Sequence, residues 1–142
     1  MSKVSISKTI DIPAKHFYAV VCDFEKYPEF ISEITSAKTV SKKKEQVSFT
    51  LNLMKTFHYT LQFRTLENRE VSWEMVESNL FKKNSGCWTL EPQNGKTKVT
   101  YTLDVEFGFF APSMIVNAMV KKDMPRVVDR FETRSQALSK VK

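Results

Sequence analysis

Between residues 47 and 107, apolar and polar positions alternate with period two in one run after another. Val47, Phe49, Leu51 and Leu53 alternate with Ser48, Thr50 and Asn52, and Phe57, Tyr59, Leu61 and Phe63 with His58, Thr60, Gln62 and Arg64. Val71, Trp73 and Met75 alternate with Ser72 and Glu74. Val99, Tyr101, Leu103, Val105 and Phe107 alternate with Lys98, Thr100, Thr102, Asp104 and Glu106. Successive side chains of a strand point to opposite faces, so this pattern predicts an antiparallel sheet with one apolar face. Polar turn cues separate the runs: Ser41-Lys42-Lys43-Lys44, Glu67-Asn68-Arg69-Glu70 and Gln93-Asn94-Gly95-Lys96.

Both ends of the chain read differently. Val4, Ile6, Ile10 and Ile12 predict a first strand, after which Pro13 opens a helix over Ala14 to Cys22 through Phe17, Val20 and Val21. Asp23 is placed to cap a second short helical turn that Tyr27-Pro28 closes. After Pro112, Met114, Ile115, Ala118, Met119, Val127, Val128, Phe131 and Leu138 recur at three- and four-residue steps. A helix from Ser113 to Ser139 would span about 40 Å, with a kink or break near Lys122–Met124 imposed by Pro125. One strand, two short helices, six strands and a long terminal helix predict an α+β helix-grip fold over residues 1–142. In it a curved antiparallel sheet of about seven strands wraps around the C-terminal helix, forming a single domain.

A curved sheet and a rod cannot touch everywhere, so this architecture predicts an apolar cavity. The expected wall consists of Phe49, Leu51, Leu53, Tyr59, Leu61, Phe63, Trp73, Met75, Trp88, Leu90, Tyr101, Leu103 and Val105 from the sheet. Met114, Ile115, Met119 and Val128 complete it from the helix. Flexible methionines at the mouth would let the wall adapt to a guest. The same residues would serve equally as a packed core without a void.

Composition adds an unusual aromatic load, eleven Phe, four Tyr and two Trp among 142 residues, with three Gly and no linker-like stretch. No run approaches the roughly 20 apolar residues of a spanning helix. Cys22 and Cys87 form no framework and match no metal spacing, so two reduced thiols and a cytoplasmic setting are expected. Net charge is +6, and residues 111–142 carry seven basic residues (Lys121, Lys122, Arg126, Arg130, Arg134, Lys140, Lys142) against three acidic ones. That surface suits peripheral contact with an anionic membrane or with ribosomal RNA; as a solvated face it would simply aid solubility. It lacks the interleaved aromatics of a single-strand binder, and DNA is not an expected partner.

Catalytic chemistry is sparse. His16 lies on the first helix, and His58, Asn52 and Arg64 on the outer phase of their strands. Cys87 is out of phase with Trp88. Only Tyr59 and Tyr101 offer polar groups to the interior. No metal, cofactor or phosphate loop is indicated, and the expectation is a non-enzymatic binder.

Several motifs resemble one superfamily. Asp23 to Ile31 is similar to an Asp-x-x-x-Tyr-Pro-x-Phe signature. Gly86-Cys87-Trp88 resembles a Gly-x-Trp strand, and Thr97-Lys98-Val99-Thr100-Tyr101 the Thr-x-Val-x-Tyr strand that follows it. Together they resemble the polyketide cyclase/dehydrase and lipid-transport branch of the START (Bet v 1-like, SRPBCC) superfamily. Asp104-Val105-Glu106-Phe107, Phe110, Pro112 and the long helix look closest to its coenzyme Q-binding and ribosome association toxin members. The resemblance implies binding, and transport, of a lipid or an isoprenoid quinone such as ubiquinone, and puts Tyr27, Pro28 and Phe30 at one end of the cavity. Its alternatives are a toxin-type regulator on a ribosomal subunit and an aromatase- or cyclase-like enzyme. The Lys82-Lys83-Asn84 run before Gly86 is more polar than the family pattern.

Overall fold

The computed structural model describes residues 2–109 and 111–139; Phe110, Lys140 and Lys142, which entered the motif and charge readings above, lie outside them. Seven antiparallel strands form one sheet in the order β1-β7-β6-β5-β4-β3-β2. They are β1 (Ser2–Ile10), β2 (Ile34–Ser41), β3 (Gln46–Leu53), β4 (Lys55–Leu66), β5 (Glu70–Ser78), β6 (Phe81–Gln93) and β7 (Lys96–Phe107). The predicted turns hold. Gln93 pairs with Lys96 across a two-residue loop in which Asn94 and Gly95 both take positive φ (52° and 85°), the conformation a tight hairpin requires. Four ladder irregularities, between Ile34 and Ser36, Thr39 and Ser41, Thr60 and Leu61, and Phe81 and Lys83, interrupt three of the pairings. Such bulges bend the strands that carry them.

Helix α1 (Ala14–Cys22) follows Pro13, whose extended backbone stands at the N-cap. A 3₁₀ helix, Phe24–Glu29, comes next. Two expectations fail here. Asp23 caps with its backbone carbonyl, which accepts from Lys26 N–H at 3.0 Å, and its side chain makes no capping bond. Pro28 lies inside the turn rather than ending it, since proline's fixed φ suits a short 3₁₀ run.

The terminal rod is broken where Pro125 predicts. It comprises α2 (Ser113–Ala118), a wider π-helical segment (Met119–Asp123), one 3₁₀ turn (Met124–Arg126) and α3 (Val127–Ser139). Pro125 donates no backbone hydrogen bond and its ring crowds the preceding turn, so the chain loosens before it and tightens at it. Val128 and Phe131 of α3 are buried against the sheet and α1. Met114 (64% exposed) and Leu138 (44% exposed) fall outside the buried stripe that the helical spacing assigned to them. Lys8 of β1 donates to Asp129 and Glu132, fastening the edge of the sheet to α3.

Candidate functional site

The core is an aromatic chain that runs from the corner after α1 across the concave face. Tyr27 packs on Phe49 (5.7 Å between centroids) and Phe131 (5.2 Å), and its hydroxyl donates to the Val21 carbonyl at 2.5 Å. Phe24 stacks on Phe63 at 3.9 Å. With its hydroxyl bonded and its ring enclosed, Tyr27 makes this segment a pinned corner between α1 and the sheet.

Beyond that corner the sheet and the rod separate around a cavity of about 170 Å³. Its wall includes Phe49, Leu51 and Leu53 of β3, Tyr59, Leu61 and Phe63 of β4, and Trp73 of β5. Trp88 of β6, Tyr101, Leu103 and Val105 of β7, Met119 of the π segment and Tyr27 also lie on it. Six residues assigned to the wall lie elsewhere, Leu90 and Val128 among them as fully buried core. Phe30 packs edge-on against Phe131 with the Arg134 guanidinium over its ring. Met75 is half-buried beside the bulge that displaces the β4–β5 register. Ile115 is buried off the wall, and Met114 faces solvent.

The wall also holds residues that the sequence reading did not select: Ile31, Glu33, Ile34, Phe81, Asn84, Asp123, Met124, Val127, Arg130 and Phe131. Val127 and Phe131 already lay on the helical stripe and could have been added from it. Glu33, Asp123 and Arg130 gave no signal, because charged residues on a turn and an amphipathic rod normally mark the solvent side.

Polar groups occupy two parts of the wall. At one end Arg130 grips the Glu33 carboxylate with both terminal nitrogens, at 2.5 and 3.0 Å. The Arg130 hydrogen bonds hold the Glu33 carboxyl below its usual range, while burial, reinforced by the Glu33 charge, pushes Asp123 up. Within the sheet, Trp73 Nε1–H donates to Asn84 Oδ1 at 3.1 Å. Burial raises both Tyr59 and Tyr101 phenols far above their ordinary value. Neither hydroxyl has a hydrogen-bonding partner among the described residues.

A larger hollow of about 580 Å³ lies on the opposite side of the sheet, among Lys3, Ser5, Arg64, Glu74, Thr102 and Asp104. Charges of both signs line it, and it lacks the apolar enclosure of a small-molecule site. Cys87 and His58 stay off the concave wall, as strand phase predicts; His58 stands 3.9 Å from Glu77. Among the described residues no three His, Cys, Asp or Glu side chains gather as a metal set, and no helix is long and apolar enough to cross a membrane.

A bent antiparallel sheet gripping a terminal helix, with two short helical segments after the first strand, defines the helix-grip fold of START-type proteins. The chain belongs to the polyketide cyclase / dehydrase and lipid transport family, whose sequence model matches residues 10–132. It is 21% identical over 140 residues to the ribosome association toxin RatA of Escherichia coli K12, covering 96% of this chain and 88% of that protein. Its fold superposes on a START superfamily protein from Mycobacterium smegmatis with a TM-score of 0.81 at 19% identity, covering 96% and 98% of the two chains. The Zhui aromatase/cyclase from Streptomyces sp. R1128 gives a TM-score of 0.81 at 13% identity over 95% and 93%. At these identities the structural likenesses establish the fold.

Proposed function

We propose that this protein binds a hydrophobic small molecule, a lipid or an isoprenoid quinone, in the cavity between sheet and rod and carries it without transforming it. The observation that carries this reading is a cavity of about 170 Å³ walled mainly by aromatic and aliphatic side chains. A void of about 150 Å³ lined by apolar residues stays dry and takes up benzene. Each methylene a guest buries is worth about 0.8 kcal/mol. The volume suits one or two rings or a short chain. It is below the roughly 300–1,000 Å³ of drug-sized pockets, so the tail of a long isoprenoid would leave through the mouth. The polar groups at the wall favour holding over proton transfer. Both phenols keep their protons at neutral pH, and Arg130 is matched by Glu33.

The test is organic extraction of natively purified protein followed by mass spectrometry, with thermal shifts for quinones and fatty acids. A co-purified hydrophobic compound and a raised Tm are expected. Repeatedly empty protein that none of these compounds stabilises contradicts the reading.

A second reading rests on a different surface. Lys121, Lys122 and Arg126 are exposed on the rod, and the similarity to RatA makes a ribosomal subunit the partner to try. Co-sedimentation with subunits should fall steeply as salt rises; no pelleting at low or moderate salt ends this reading.

A further inference from the structure

We infer that the guest is neutral and carries a ring-borne carbonyl oxygen, which Asn84 recognises, and that fatty-acid carboxylates are disfavoured; this rests on the cavity reading above. The argument starts from Trp73. An indole N–H can only donate, so the Asn84 atom facing it, 3.1 Å away, is the carbonyl Oδ1. That fixes the amide. Nδ2 is left with two hydrogens and no acceptor among the described residues, in a side chain on the cavity wall that is 7% exposed. Nδ2 is not sealed among unpartnered buried atoms; among the described residues only Asp104 Oδ1 is. A donor that opens on an apolar cavity without a protein acceptor gains a hydrogen bond when a guest oxygen stands opposite it.

Tyr59 and Tyr101 stand on the same wall, their hydroxyls without a partner among the described residues, and the Tyr101 ring lies 5.9 Å from Trp73. They add two groups that can donate to a second guest oxygen. Asn84 Nδ2 cannot accept, so the atom opposite it must be an acceptor rather than a hydroxyl acting as donor. The rings on the wall present flat faces to a planar guest.

The charged end of the cavity sets the second condition. Among the described residues lining it, two carboxyls, Glu33 and Asp123, face one cation, Arg130, and Glu33 already holds that guanidinium at both terminal nitrogens. A guest carboxylate would displace Glu33 or enter beside two partly buried acids, and either is unfavourable. Burial first, and then the Glu33 charge, raise the Asp123 carboxyl against the opposing pull of Arg130, Lys122 and Arg126.

Matched probes test this on the full chain. 1-Tetralone and tetralin differ by one carbonyl oxygen, and octanoate supplies a carboxylate on a chain of similar bulk. Calorimetric titration at pH 7 should give 1-tetralone about tenfold tighter Kd than tetralin, the effect of one satisfied hydrogen bond, with octanoate weaker than both. Asn84→Leu should abolish the preference. Should Asn84→Leu lack a cooperative melt, Asn84→Asp keeps an acceptor for Trp73 and removes the amide donors, and it too should lose the preference. Equal binding of tetralone and tetralin by the wild type, a preference that survives loss of the Asn84 amide, or octanoate binding as tightly as tetralone overturns the inference and leaves the cavity reading standing. No binding by any probe overturns both.

Discussion

At Gly86 the Trp73 indole fills the space a side chain would need. The two residues are opposite one another in the β5–β6 ladder. A Cβ built on Gly86 would overlap the indole ring and lie 2.5 Å from the Thr102 carbonyl oxygen. The indole cannot readily step aside, since its N–H is bonded to Asn84 and its faces meet Phe63 and Tyr101. The glycine of the Gly-x-Trp strand thus leaves room for an indole that lines the cavity. Overpacking of this kind costs about 1–3 kcal/mol. Gly86→Ala should lower Tm by roughly 3–10 °C, measured by thermal and urea melts. A variant as stable as the wild type would show that the ring has room to move.

Among the elements, the rod and the start of β2 are joined by Glu33 and Arg130, each with about a fifth to a quarter of its side chain exposed. The two carboxyls at this junction should respond to pH in opposite senses. Glu33 titrates below its unfolded value, so its stabilisation is present above about pH 4 and disappears as pH falls through the lowered folded value. Asp123 titrates above its unfolded value, so stability is greatest with it protonated and is lost as pH rises through the raised folded value. Glu33→Gln should therefore cost about 1–3 kcal/mol at pH 7, and Asp123→Asn should stabilise there. Both differences should shrink below about pH 4. Urea unfolding between pH 3 and 8 checks both, and matching signs for the two variants at pH 7 would contradict the assignment.

The same junction shows how far the elements were legible in the sequence. Period-two alternation located the strands, and the three- and four-residue steps located α1 and the rod, because one buried face imposes each period. Pro125 located the break because its missing donor acts locally. Glu33, Asp123 and Arg130 were invisible because what puts charge on the wall is the widened π segment and the turn before β2. Both of these depend on packing between segments about 90 residues apart. Asn84 appeared in the sequence only as an unexpected polar residue before a Gly-x-Trp strand, and the structure supplies its partner in Trp73.

For the whole molecule, the fold and family are shared by proteins with different names and activities, so function has to be argued from the cavity. The account requires that a guest enter the interior rather than adhere to exposed apolar tips such as Met54, Phe109 and Met114. Methyl NMR of isotope-labelled protein titrated with 1-tetralone separates these cases directly. The account predicts saturable one-to-one shifts, with NOEs from the probe to methyls of Leu61, Leu103, Val105 and Met119. Shifts confined to Met54 and Met114, or interior methyls that stay unmoved at saturation, would contradict it.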